Sequence, residues 1–135
     1  MRIEVSTIVR APLNSVWTAY TNPDDIVQWN AASDDWHTVK SSVDLRPGGE
    51  FNSRMEAKDG SVGFDFEGTY TTVVLNTRIE YVFGDRRARV DFSQEPEGVR
   101  VQISFDAEEI HSVEQQREGW QAILDRFGRH VEAKA

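Results

Sequence analysis

Between Trp36 and Phe105 the sequence alternates apolar and polar residues in short runs, each ending at a turn signal, and after Ser112 the period becomes helical. Few folds accommodate that succession. Alternation at every second residue marks a half-buried strand, and short joints between successive strands make neighbours antiparallel. The stretch that organises the rest is Val43-Asp44-Leu45-Arg46-Pro47-Gly48-Gly49-Glu50-Phe51. Pro47 suits the second position of a tight turn, and Gly48-Gly49 accept the positive φ values that other residues resist. This turn joins a strand expected over about Trp36–Leu45 to one over Glu50–Ala57.

Lys58-Asp59-Gly60-Ser61 reads as a second hairpin turn. Val62, Phe64 and Phe66 then alternate with Gly63, Asp65 and Glu67, and Gly68 is expected to bend or bulge the strand before Tyr70–Leu75. After a turn at Asn76-Thr77, three more inner faces follow: Ile79, Tyr81, Phe83; Ala88, Val90, Phe92; and Val99, Val101, Ile103, Phe105. Upstream, Ile3, Val5 and Val9 mark a first strand. Pro12 is expected at the first position of a short helix carrying Leu13, Val16, Trp17 and Tyr20. Asn22-Pro23-Asp24-Asp25 opens a second, with Asn22 as cap and two acids at the positive helix end.

Ser112 and Gln115 form a capping-box pattern before one long helix. Val113, Gln116, Trp120, Ile123, Leu124, Phe127 and Val131 fall on one of its faces. Gly119 weakens such a helix by about 1 kcal/mol relative to Ala, so a close neighbour or a bend is expected at that turn. The whole is an α+β chain, expected to form a single domain over residues 1–135. A curved antiparallel sheet of this size needs its apolar face covered, and the last helix is the one long element available. A sheet gripping one helix leaves a wedge-shaped space between them. This is the helix-grip arrangement.

Composition narrows the partners. A formal net charge of −8 disfavours nucleic acid and anionic membranes, because phosphates would be repelled. No cysteine is present, which removes disulfides, thiolate metal sites and a cysteine nucleophile. No secretory signal and no membrane-spanning apolar run is visible, so a cytoplasmic location is expected. The three histidines have no ligand spacing, and neither a metal nor a cofactor is expected.

The candidate site is the wedge itself. Phe51 and Met55 share one strand face, Phe64 and Phe66 another, Tyr81 and Phe83 a third; Trp120 and Phe127 face them from the helix, and Trp29 and Trp36 border the entrance. Arg54, Asp65, Glu67 and Arg89 fall on the opposite parity and are expected in solvent, so no catalytic residue is assigned. Asp24-Asp25, Asp34-Asp35 and the Glu108-Glu109 turn beside His111 read as solvated surface.

The segments Ala19-Tyr20-Thr21-Asn22-Pro23 with Trp29, Asp44 to Phe51, and Gly119-Trp120 with Leu124 resemble the START-like (SRPBCC) superfamily. Within it they are most similar to the activator of heat-shock-protein ATPase homologue-like family. The resemblance spans nearly the whole chain and implies a helix-grip fold with an internal hydrophobic cavity. Two departures stand out: Asn30 where a second bulky aromatic is common beside Trp29, and Leu75-Asn76-Thr77 in place of a Pro-containing turn. The expected function is binding of an apolar or aromatic small molecule. A co-chaperone-like module that uses the acidic surface or the Trp36 loop on a protein partner is the alternative. A cyclase or hydrolase is less favoured, because parity turns few polar groups inward. Tyr70 or His37 in the cavity would favour it.

Overall fold

The strands fall where alternation puts them, and the long helix where the period changes. A computed structural model describes residues 1–135. The elements run β1 (Arg2–Val9), α1 (Leu13–Thr21), α2 (Pro23–Trp29), β2 (Trp36–Val43), β3 (Glu50–Ala57), β4 (Gly63–Val74), β5 (Arg78–Phe83), β6 (Arg86–Glu95), β7 (Gly98–Asp106) and α3 (Val113–Lys134). All seven strands form one antiparallel sheet in the order β1-β7-β6-β5-β4-β3-β2. It curls into a half-barrel around α3, the helix-grip fold that the sequence implies. β1 joins the far edge, with Ile3 opposite Phe105 and Val5 opposite Ile103.

The Pro47-Gly48-Gly49 turn does more than join β2 to β3. Gly48 has φ +84°, and a Cβ on Gly49 would fall 2.0 Å from the Asp44 carbonyl oxygen. The Gly48 N–H donates to the Tyr70 carbonyl (2.8 Å), and the Tyr70 N–H donates to the Gly49 carbonyl (2.9 Å). The turn therefore folds onto β4 and fixes the backbone of Tyr70.

Four local expectations need correction. Pro12 is the N-cap of α1 rather than its first residue, and β2 stops at Val43, short of Leu45. Val62 lies outside β4 and is exposed. β4 runs unbroken through Gly68, and its register shifts later, between Tyr70 and Thr72. A Cβ on Gly68 would lie 2.9 Å from the Phe51 ring and 2.3 Å from the Val82 carbonyl oxygen. That glycine makes room for Phe51.

The predicted capping box of Ser112 and Gln115 starts α3. The helix is fastened to β1: Gln121 Nε2 donates to the Ser6 carbonyl (3.0 Å), and the Arg10 N–H donates to Glu132 (2.9 Å). Its close seat is at buried Gly128, where a Cβ would meet Val9 at 3.7 Å, and not at Gly119, where a Cβ would meet nothing within 4 Å. Gly119→Ala should therefore raise stability by about 0.5–1 kcal/mol, the helix-propensity difference alone. A lower melting temperature for this variant would show a constraint at that turn.

Candidate functional site

A cavity of about 500 Å³ lies between the concave face of the sheet and α3. Alternation on neighbouring strands builds its sheet wall. Ser53 lies opposite Phe66, Met55 opposite Phe64 and Tyr70 opposite Tyr81, and all six line the space. Phe66 is the hub of an aromatic lattice, with ring centroids 5.6 Å from Phe51, 5.5 Å from Phe83 and 6.3 Å from Trp120. On the helix side, the Trp120 indole stacks flat on Phe105 at 3.9 Å and 10°. Ile123 and Leu124 follow it along α3. Trp29 and Ile26 of α2 close the inner end, with the Trp29 indole N–H donating to the Ala19 carbonyl (2.9 Å).

Polar groups on the wall are few. Ser41 and Ser53 hydroxyls lie 3.3 Å apart. The phenols of Tyr20, Tyr70 and Tyr81 line the cavity, and burial pushes all three far above the ordinary tyrosine range. They stay protonated donors at any physiological pH. Asn76 Oδ1, at the β4–β5 turn, is the one enclosed side-chain polar atom without a partner. Arg86 is the only charged residue on the wall. No group of three or more His, Asp or Glu side chains converges to hold a metal ion.

Of the residues singled out from the sequence, Trp29, Trp36, Phe51, Met55, Phe64, Phe66, Tyr81, Phe83 and Trp120 lie on this wall. Trp29 sits deep, not at the entrance, and is only 6% exposed. Trp36 and Phe64 form the outer lip, 5.8 Å apart, with Phe64 48% exposed. Phe127 does not reach the cavity. It is fully buried between Tyr20 (5.2 Å) and Trp29 (5.0 Å), because its turn of α3 faces the α1–α2 pair. His37 is not among the lining residues, whereas Tyr70 is. Arg54, Asp65 and Arg89 form ion pairs outside the cavity, and Glu67 accepts from Asn52.

Sequence reasoning missed Tyr20, Tyr70 and Arg86 as wall residues. Tyr70 shares the parity of Phe66, and Arg86 that of Ala88 and Val90, so both carried a signal.

Asp25 is not solvated surface either: it is 5% exposed. One of its oxygens takes both His130 Nε2 (2.8 Å) and Lys134 Nζ (2.6 Å), spaced one turn apart on α3. Burial alone would raise its pKa, but the hydrogen bonds and charges of Lys134 and His130 together hold it below the usual carboxylate range. A carboxyl with a depressed folded pKa contributes stability that is present above its unfolded pKa of about 4 and lost as pH falls through the folded value. Asp25→Asn should lower stability by roughly 1–2 kcal/mol at neutral pH and flatten the loss below about pH 4. Stability curves of wild type and variant that stay parallel down to pH 2 would contradict this.

A curled antiparallel sheet gripping one long helix, with two short helices after the first strand, defines a START-like helix-grip protein. Residues 10–132 match the family described as Activator of Hsp90 ATPase homolog 1-like protein, and the chain belongs to that family. It is similar to the AHSA1-like protein from Aeromonas hydrophila, known from a solution structure: 50% identity, 99% of this chain and 94% of that one covered, TM-score 0.94. A solution structure from Cytophaga hutchinsonii is 40% identical, with 98% and 92% covered and a TM-score of 0.81. A crystal structure from Nitrosomonas europaea, at 21% identity, 99% and 96% covered and TM-score 0.81, shares the fold. No protein with a curated description matches the chain. No helix is long and apolar enough to cross a membrane.

Proposed function

We propose that the protein binds an apolar, largely aromatic small molecule in the cavity between the sheet and α3. The observation that carries this reading is the wall: 18 of its 24 residues are hydrophobic, around a space of about 500 Å³. Clefts of this size and lining, with a few polar groups, are what small ligands occupy. Each Å² of apolar surface removed from water contributes about 25 cal/mol, part of it offset by the loss of free motion on association.

The co-chaperone-like reading would place Trp36 on a protein partner. Trp36 packs against Phe64 at the cavity lip instead of standing free, which favours the cavity. Tyr70 on the wall is the feature that would suit an enzyme. A cyclase or hydrolase also needs a proton acceptor, and the lining includes neither a carboxylate nor an imidazole. Binding is the reading these residues support best. An amide NMR titration with a panel of apolar aromatic compounds tests it. Saturable shifts centred on Phe66, Tyr81 and Trp120 are expected; a flat response across the panel would count against a binding cavity.

A further inference from the structure

Resting on the cavity reading above, we infer that the ligand is an organic anion, a carboxylate on an aromatic body, with its charged group at Arg86. Arg86 opens β6 opposite Phe83, two residues before Ala88, and so points to the concave face with the buried series Ala88, Val90 and Phe92. Its guanidinium lies 4.6 Å from the centre of the Phe83 ring, and Nε donates to the Asp106 carbonyl (3.0 Å). Ring stacking and that bond hold the group in place while leaving its outer nitrogens uncommitted.

Most other strand arginines have acids of their own; Arg87, beside Arg86 but of opposite parity, has no ion pair and lies on the outer face. Arg54 pairs with Glu56, Arg78 and Arg89 with Asp91, and Arg100 with Glu95. Arg86 forms no ion pair; after the bond from the His111 N–H, its charge helps to hold the Glu108 carboxyl down, but the acids near it are hydrogen-bonded elsewhere. Asp106 binds Arg2 through Oδ1 (2.9 Å) and the Arg87 N–H through Oδ2 (2.8 Å). Glu108 Oε1 accepts the His111 N–H (2.6 Å) and faces His111 Nδ1 (3.0 Å). A cation without a partner at an apolar wall is matched by an anion that brings its own apolar body. The guanidinium fork suits a carboxylate. Net charge of −8 opposes indiscriminate anion binding, so the body must supply part of the affinity. The Tyr81 phenol, a neutral donor, lines the same cavity.

The test compares naphthoate with naphthamide, alike in shape and different in charge, by calorimetric titration of wild type, Arg86→Gln and Arg86→Lys. Wild type should prefer naphthoate by about tenfold or more, the usual worth of a hydrogen bond to a charged group. Arg86→Gln should erase most of that preference by weakening naphthoate far more than naphthamide, and Arg86→Lys should keep part of it. Equal binding of the two probes by wild type, or a preference that survives Arg86→Gln, overturns the inference and leaves the cavity reading standing. So does an Arg86→Gln variant that weakens both probes alike, which would mark a structural role. Binding of neither probe overturns both. Should Arg86→Gln fail to fold, Arg86→Lys decides: the preference should shrink, and an unchanged preference overturns the inference.

Discussion

Replacing Phe127 by Ala should lower the free energy of unfolding by about 3–5 kcal/mol, the largest single-site loss expected in this chain. Its ring is fully buried and meets the edges of Tyr20 and Trp29, so it ties α3 to both short helices. Truncation removes the transfer free energy of the ring and leaves a hole that its two rigid aromatic neighbours cannot fill. Urea denaturation checks this: the midpoint should fall with the slope unchanged. A loss under about 1 kcal/mol would mean the joint repacks freely, contrary to its aromatic geometry. Since Phe127 lies outside the cavity wall, the folded fraction should bind an aromatic ligand nearly as well as wild type.

Trp120→Ala should give the opposite balance. The indole is only partly buried, so a stability loss of about 3 kcal/mol, at the lower end for such truncations, is expected. Its effect on binding should be larger, at least about tenfold in Kd, because a stacked aromatic wall residue supplies more than 1.4 kcal/mol of contact. The flat stack on Phe105 fixes the indole where it meets Phe66 and Phe83, and no neighbour can replace it. Paired measurements of stability and affinity on the two variants separate packing from binding. Should Trp120→Ala lose stability yet bind as before, the wall assignment is wrong.

The fold was legible in the sequence because each level agreed with the next. Period-two runs, the Pro-Gly-Gly and Asp-Gly turns and the capping box at Ser112 all point to the same arrangement. The wall was legible where parity is simple, as for Phe51, Met55, Phe66, Tyr81 and Phe83. It failed where the signal lies between elements. Phe127 shares the helical face of Trp120, but two turns further on that face meets α1 and α2 instead of the sheet. Asp25 resembles any acid at a helix start, and its burial depends on His130 and Lys134, 105 and 109 residues away. Arg86 was readable by parity with Ala88, but only if the strand is started two residues before its apolar run. Gly119 shows the reverse: a residue with an evident local cost and no neighbour that requires it.

The most direct test of the binding cavity is to look for intermolecular nuclear Overhauser contacts between bound naphthoate and the protein. Contacts to the Met55 methyl group, the Phe66 ring and the Trp120 indole, all on the wall between sheet and helix, are the predicted result. Contacts confined to the exposed side chains of Val62 and Leu75, or to the outer sheet face around Arg89, would place the ligand outside and contradict a binding cavity.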